Sequence, residues 1–453
     1  MTHSAPQTPA DQSDYAVGTV LADLDRLADR PNRGVVVDSP PGAGKSTLVV
    51  RAAAHLARAD HSVMIVAQTN EQVDDLVDRL ATRHPDLVIG RILKSGGSLA
   101  ERLHQHANVT GAERIDGFPR SPRIAIATAA KWAYIQDKEN HWPWAIVDEA
   151  YQMRSDALLA CAGLFDKALF VGDPGQLDPF STVETERWTG LTWDPLRNAV
   201  DVTLAHNPDM DIRRLPVSWR LPASAAPLVE RAFYPFTPFV SGTQTADRQL
   251  RLTTRALNPD ATDRVLSAAA ETGWGYLELP GGHTLRTDRG IAAALAATAE
   301  RLLVRGATTY CDLAPPPVGR FLTPERIAIG VAHNDQAEAV RAHLPPALRT
   351  ITVDTANKLQ GREFDVTLVW HPLSGRVDAS AFHLETGRLC VLLSRHRHAC
   401  IVVARAGIRE LLDRHPSNQP VHLDVPPKFP DGWRAHQTVM EHLEAPAHRV
   451  ASD

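Results

Sequence analysis

The sequence holds little cysteine, little lysine and no long apolar run. Its 453 residues include four cysteines, Cys161, Cys311, Cys390 and Cys400, far apart and without a Cys-x-x-Cys pair. That spacing excludes a disulfide framework and a cysteine-ligated zinc site, and it fits a reducing cytoplasm. Only seven of the 48 basic residues are lysine, a bias that codon usage in a GC-rich genome can produce by itself. No run of about 18 apolar residues occurs, which excludes a membrane-spanning helix, and Met1–Asp14 is polar, without the apolar core of a signal peptide. The formal charge of −5 excludes a globally basic, nucleic-acid-coating chain but leaves room for a local positive groove. What is present, 43% hydrophobic and 22% charged residues, is the composition of a globular protein. At roughly 150 residues per domain the length allows about three domains.

From Arg33 onward, short β-rich runs alternate with longer helical patterns, the signature of parallel sheets with crossover helices. Strands are expected at Gly34–Asp38, Ser62–Ala67, Leu87–Ile92, Arg123–Thr128, Trp144–Asp148 and Ala168–Gly172. A second series is expected at Asp201–Leu204, Trp274–Leu279, Arg326–Ala332, Thr350–Asp354, Phe364–Trp370 and Cys400–Ala404. The fold class is therefore α/β, with two tandem lobes, each a mainly parallel sheet with flanking helices. The expected organisation is a flexible tail over 1–14, a first lobe over 15–207, a second over 208–425 and a C-terminal extension over 426–453. Gly96-Gly97 and Thr110-Gly111 read as a polar connection between strands of the first lobe, and Ala314-Pro-Pro-Pro-Val-Gly319 as a loop inside the second.

Gly34-Val-Val-Val-Asp38 runs into Ser39-Pro-Pro-Gly-Ala-Gly-Lys-Ser46 and then an apolar-periodic helix. Strand, tight loop and helix in this order match the phosphate-binding loop, with Ser39 in place of its first glycine. Gly42 and Gly44 let backbone N–H groups turn inward as an anion nest, with Pro41, Ala43 and Thr47 completing the loop. Lys45 is placed to bridge the β- and γ-phosphates and Ser46 to offer a hydroxyl to Mg²⁺. Such a loop does not name a reaction. Trp144-Ala-Ile-Val-Asp-Glu-Ala150 adds a buried strand ending in two carboxylates. Hydrolysis needs one carboxylate on the metal and one on water, so Asp148 is assigned to Mg²⁺ and Glu149 to the base. Gln152 is a weaker candidate for sensing. Gln176, in Asp173-Pro-Gly-Gln-Leu-Asp-Pro179, is placed to hydrogen-bond a γ-phosphate and report its loss; an ordinary Pro-Gly turn is the alternative.

With these motifs in order, the chain resembles a superfamily 1 helicase, more narrowly the 5′→3′ branch that includes the nonsense-mediated-decay RNA helicase. The resemblance spans residues 34 to 404 and adds Ala67-Gln-Thr-Asn70, Ala127-Thr-Ala-Ala-Lys131, Ser218-Trp-Arg220, Ala332-His-Asn-Asp-Gln336, Asp354-Thr-Ala-Asn-Lys-Leu-Gln-Gly-Arg-Glu-Phe-Asp365 and Leu392-Leu-Ser-Arg-His-Arg397. It implies two RecA-like lobes with ATP and Mg²⁺ between them. Arg220 and Arg395 would then act as arginine fingers, Trp219, where the family usually has tyrosine, would stack on adenine, and Gly361 and Glu363 would link the nucleotide to the strand. Single-stranded DNA or RNA would be held by Thr69, Asn70, Thr128 and Lys131 of the first lobe and by Thr355 with Asn357 or Lys358 of the second, with helix capping as the alternative for each Thr or Asn. A monomer in the cytoplasm, moving 5′→3′, is implied. Three positions depart from the family pattern. Only Gln12 is available as the adenine-reading glutamine; the segment before Arg123 is too short for a large accessory domain; and His333-Asn334 stands where relatives often carry Pro-Tyr, leaving Gln336 as a nucleotide or strand contact. A remodeller that strips protein from nucleic acid, and a nucleotide-gated binding subunit, are the rival functions.

Overall fold

Val35, Val36 and Val37 are fully buried, as expected of a strand covered on both faces. The structure, a computed structural model, describes residues 8–28, 30–135, 141–177, 179, 188, 194, 197–245, 247–311, 319–414 and 431–452. Asp178, Trp193 and the Ala314–Val318 part of the proline-rich loop lie outside the described residues. The chain divides into two compact units, one of Met1–Pro174 with Asp178–Pro216 and one of Gly175–Leu177 with Val217–Asp453.

The first unit is built on an eight-stranded sheet. Its strands are β1 (Gly34–Asp38), β2 (Val63–Ala67), β3 (Ile89–Ile92), β4 (Val109–Ala112), β5 (Ile124–Thr128), β6 (Trp142–Asp148), β7 (Phe165–Gly172) and β8 (Asp211–Arg214). They lie in the order β4-β3-β5-β2-β6-β7-β1-β8, and every pairing is parallel. Crossover helices such as Lys45–Arg58 and Asn70–Arg83 bury Leu48, Val49, Val73 and Leu80 against it.

Four expectations are corrected here. Thr110-Gly111 is part of β4, a strand on the sheet edge, rather than a polar connection. Asp201–Leu204 is helical, within Ala199–His206, because Asn198 Oδ1 accepts the Asp201 N–H at 2.9 Å and starts the helix; a short run of alternating apolar residues does not by itself distinguish the two conformations. The unit continues through Pro216 rather than ending near residue 207, because β8 pairs with β1. A helix occupies Pro9–Ala28, so the tail expected over 1–14 is helical from Pro9.

The second unit holds β9 (Val217–Ser218), β10 (Val240–Ser241), β11 (Arg248–Leu252), β12 (Trp274–Leu279), β13 (Ala307–Cys311), β14 (Arg320–Phe321), β15 (Ile327–Val331), β16 (Thr352–Thr355), β17 (Phe364–Trp370), β18 (His396–Arg405) and β19 (Arg449–Ala451). Its main sheet has the order β16-β15-β17-β18-β12-β19 and is parallel throughout. Beside it lies a small antiparallel sheet, β11-β13-β14. The expected C-terminal extension is part of this unit: helix Gly432–Leu443 buries Ala435, Val439, Met440 and Leu443 in its core, and β19 pairs with β12. Each unit is thus a mainly parallel sheet with flanking helices, the RecA-like arrangement expected. Among the described residues no helix is long and apolar enough to cross a membrane.

Candidate active site

The phosphate loop leaves β1 at Asp38 and enters helix Lys45–Arg58. Ser39 is fully buried, and its N–H donates to the Gly172 carbonyl at 2.9 Å. It does not take a positive φ, whereas Gly42 (φ 74°) and Gly44 (φ 91°) do. The turn therefore needs glycine at 42 and 44 and tolerates serine at 39. Gly44 is the N-cap of the helix without a side-chain cap, and no acidic residue occupies the first turn. The first N–H groups and the positive end of the helix dipole are thus available to an anion.

β6 carries Asp148 to the same region, and the chain turns sharply after it. Glu149 has φ 51°, a left-handed conformation that a side chain rarely adopts, and its N–H donates to Asp148 Oδ1 at 3.0 Å. Such strain persists only where surrounding contacts enforce it. Those contacts are present: Lys45 Nζ lies 3.6 Å from Glu149 Oε1 and 3.8 Å from Asp173 Oδ2, and Gln152 Nε2 donates to Glu149 Oε2 at 3.0 Å. Burial, then the neighbouring Glu149 charge, pushes the Asp148 carboxyl up to about 7, against the opposing pull of Lys45. Deeper in, the Tyr151 hydroxyl donates to Asp38 Oδ1 at 2.5 Å and fastens β6 to β1. Burial, then Asp38, pushes that hydroxyl's pKa up.

Ser46 and Asp148 fit Mg²⁺ in donor type: both offer oxygen, and a buried carboxylate beside a second carboxylate, Glu149, is costly until a cation offsets the charge. No group of three or more His, Cys, Asp or Glu that could hold a metal occurs among the described residues. The remaining coordination positions would therefore fall to phosphate oxygens and water, as is usual for Mg²⁺ at a nucleotide.

In the second unit, Arg220 Nε donates to Glu363 Oε2 at 3.2 Å, and Arg397 Nη1 to Glu363 Oε1 at 3.1 Å. Burial alone would raise the Glu363 carboxyl; the charges of Arg220 and Arg397 outweigh it and hold the group below its usual value. Trp219 is half-buried and its ring faces Gly242, where a methyl group would meet ring atoms at 2.5 Å. Arg395 is fully buried, with Nη2 donating to Ser394 Oγ at 2.7 Å. Gly361 takes φ 79° with open space around its α-carbon, so backbone conformation rather than room selects glycine there. Gln176 is buried and belongs to the second unit although it follows a strand of the first.

Three of the four expected strand contacts of the first unit, Thr69, Asn70 and Thr128, also serve the fold through their side chains. Thr69 Oγ1 accepts the Gln72 N–H at 3.2 Å in a capping box, and Asn70 Oδ1 accepts from Arg91 Nη2 at 2.9 Å. Thr128 Oγ1 accepts the Lys131 N–H at 3.2 Å. Thr355 begins helix Ala356–Leu359 without a side-chain cap, and Lys358, exposed, lies 3.4 Å from Asp354. Gln336 is corrected: it is buried, its Oε1 accepts the Ala332 and His333 N–H groups at 3.0 and 3.1 Å, and its Nε2 donates to the Arg286 carbonyl. The side chain is consumed in capping its own helix.

Sequence reading gave no role to Asp173, Tyr151 or Arg397. Asp173 opens the quoted Asp173–Pro179 run, so a carboxylate at a strand end one place after Gly172 was the available signal. Arg397 closes the quoted Leu392–Arg397 run and Glu363 lies in the quoted Asp354–Asp365 run, but the pairing of the two, like that of Tyr151 with Asp38, joins residues distant in sequence and is not readable from it.

Residues 22–188 match the model of a family described as AAA domain. No curated protein matches the chain. Among solved structures, the arterivirus nonstructural protein 10 helicase is similar at 14% identity and a TM-score of 0.42, over 88% of this chain and 64% of that one. The same helicase solved with DNA is similar at 13% identity and 0.41, over 88% and 65%. A helicase of PRRSV is similar at 13% and 0.40, over 89% and 56%. The chain thus spans less than two-thirds of the length of each of these helicases.

Proposed function

We propose that this protein is a superfamily 1 type ATP hydrolase that moves along single-stranded DNA or RNA, 5′→3′, as a monomer. The observation that carries this reading is the convergence of Lys45, Asp148, Glu149 and Asp173 at a phosphate loop whose helix N-terminus is uncapped by any side chain. ATP arriving there would draw Lys45 from the two carboxylates onto its β- and γ-phosphates. Mg²⁺ on Ser46 and Asp148 would neutralise phosphate charge. Glu149, released from Lys45 and still oriented by Gln152, would accept a proton as water attacks the γ-phosphorus and ADP departs. Arg220 and Arg395 would add positive charge as the transition state forms, so that hydrolysis follows closure of one unit on the other. Release of the phosphate would relax the grip on the strand and complete a step.

Hydrolysis should be measured without nucleic acid, with single-stranded DNA and with RNA. One strand type should stimulate turnover, and Lys45→Ala and Glu149→Gln should each lower it by roughly 10²–10⁴-fold. Turnover unchanged in either variant would sink the site assignment.

A specific observation favours a second reading, strand-tracking removal of bound proteins without duplex opening. Between helix Asn70–Arg83 and β5, the first unit inserts only β3, β4 and two single-turn helices, Glu101–Leu103 and Ile115–Gly117. Comparing displacement of a bound protein with unwinding of a tailed duplex separates the two activities.

A further inference from the structure

Trp219, Arg220 and Arg397 lie in motifs that carry the family resemblance; Arg248, which lies in none of them, joins all three. Arg248 opens β11 and is buried. Its Nη2 donates to the Trp219 carbonyl, and its Nη1 donates to the Arg220 carbonyl and, at 3.4 Å, to the Arg397 carbonyl. These backbone oxygens belong to two separate segments of the second unit.

Both segments have irregular backbone there. Trp219 and Arg220 follow the two-residue strand β9, whose Ser218 carbonyl accepts the Gly242 N–H at 2.7 Å. Arg397 sits in a bulge: between the pairs Phe364↔His396 and Val366↔Ala399, β18 holds Arg397 and His398 where β17 holds Asp365 alone. A bulge and the end of a short strand both leave carbonyl oxygens outside the regular ladder and in need of donors. A guanidinium, with five N–H donors in a rigid fork, meets several such oxygens at once.

The charge on Arg248 works against its burial. Among the described residues it forms no ion pair with a carboxylate, and burial, then the Arg397 charge, lowers its pKa from the usual guanidinium value. An apolar side chain of similar length fills such a space without that cost; what it lacks is the hold on the two segments.

The side chains of the same segments converge on one carboxylate. Arg220 donates to one oxygen of Glu363 and Arg397 to the other, and the Arg248 charge acts on the same group. Arg220 is therefore able to leave Glu363 for a phosphate while Arg397 keeps that carboxylate paired. Such a swing needs a fixed main chain to start from.

We infer that Arg248 is a positioning residue for Arg220: it pins the Trp219–Arg220 backbone to the bulge of β18, so that the Arg220 guanidinium reaches a phosphate from one fixed origin. The inference rests on the finger role proposed above for Arg220 and adds a residue that acts through the backbone alone.

The test is a double-mutant cycle read by steady-state ATP hydrolysis, with the more stimulating strand saturating. Arg248→Met should lower kcat about 10- to 100-fold, the loss that a misplacement of about 1 Å brings. The ATP KM should change less, since the Arg220 contact is made in the transition state. Arg248→Lys, a point charge in place of a fork, should recover only part of the loss. In an Arg220→Ala background, Arg248→Met should lower kcat by no more than about twofold further, because the group it places is gone. Melting curves accompany every variant, and if Arg248→Met melts below the assay temperature the cycle is run with Arg248→Lys. An equal loss in both backgrounds, or the parent's kcat in the Arg248 variant used, would overturn the positioning role and leave the finger standing. An Arg220→Ala variant that turns over as the parent does would overturn the finger itself.

Discussion

Glu149 shows how a residue proposed for the chemistry can oppose the fold. Its left-handed backbone costs on the order of 1–2 kcal/mol in a residue with a β-carbon, and its charge beside buried Asp148 is part of what raises that carboxyl to about 7. Glu149→Gly removes both penalties at the smaller cost of a more flexible unfolded chain, roughly 0.4–1 kcal/mol. The variant should therefore lose hydrolysis yet gain about 1 kcal/mol of stability, a rise of about 2–4 °C in the melting temperature of a unit this size. Calorimetry beside an activity assay checks this; a melting temperature that falls would mean that the contacts to Lys45 and Gln152 outweigh the strain. The acidic pair itself was legible in the sequence, because a buried strand ending in Asp-Glu after a phosphate loop has few other uses. The strain was not, because φ depends on how Ala150 and Tyr151 return against Gly172, where a side chain would meet Tyr151 at 2.7 Å.

At the scale of elements, strands buried on both faces announced themselves; of the edge strands, Thr352–Thr355 did and Val109–Ala112, Asp211–Arg214 and Arg449–Ala451 did not. Val63–Ala67 and Phe364–Trp370 are buried at every position, and their unbroken apolar runs placed them to within a residue or two. Val109–Ala112 and Asp211–Arg214 are only partly covered, so they lack that run, and pairing to a distant strand alone makes them β. Helix starts pose the opposite difficulty, since one threonine can serve both cap and ligand. Thr69 illustrates it, with Gln72 answering its own cap at 3.0 Å. Thr69→Ala should cost about 1 kcal/mol by removing the cap. Thr69→Asp keeps a capping oxygen but places a negative charge where a strand phosphate is proposed. Stability close to the parent with weakened strand binding would establish the contact; unchanged binding in the aspartate variant would leave Thr69 as a cap alone.

At the scale of the whole molecule, the second unit carries a sensitivity to acid in its core. The second unit buries His371, His396 and His436 completely. Burial, then the neighbouring His436, holds His371 well below its usual value; burial, then His398, Arg248 and Arg395, lowers His396 to about 3; and burial lowers His436 to about 3 against an opposing backbone hydrogen bond with His383. The His371 and His436 rings meet edge to face at 5.2 Å, and His396 meets Trp274 likewise at 5.1 Å, so protonation would place charge inside close packing. Above about pH 6.5 these rings are neutral whether the chain is folded or not, and pH has no leverage through them. As pH falls below 6.5, the unfolded chain takes up protons that the folded unit refuses. Each histidine then subtracts up to about 1.4 kcal/mol per pH unit until its folded value is reached. The second unit should therefore lose stability between pH 6.5 and about 3, well before simple titration of its surface carboxylates would require it. Urea unfolding at pH 7.5, 6.0 and 5.0, followed by tryptophan fluorescence, to which Trp274 and Trp370 of this unit contribute, should show a falling midpoint. His396→Phe and His436→Phe should each flatten that fall, whatever they do to stability at pH 7.5. A midpoint as steep in both variants as in the parent would assign the acid sensitivity to other groups and leave these histidines as packing alone.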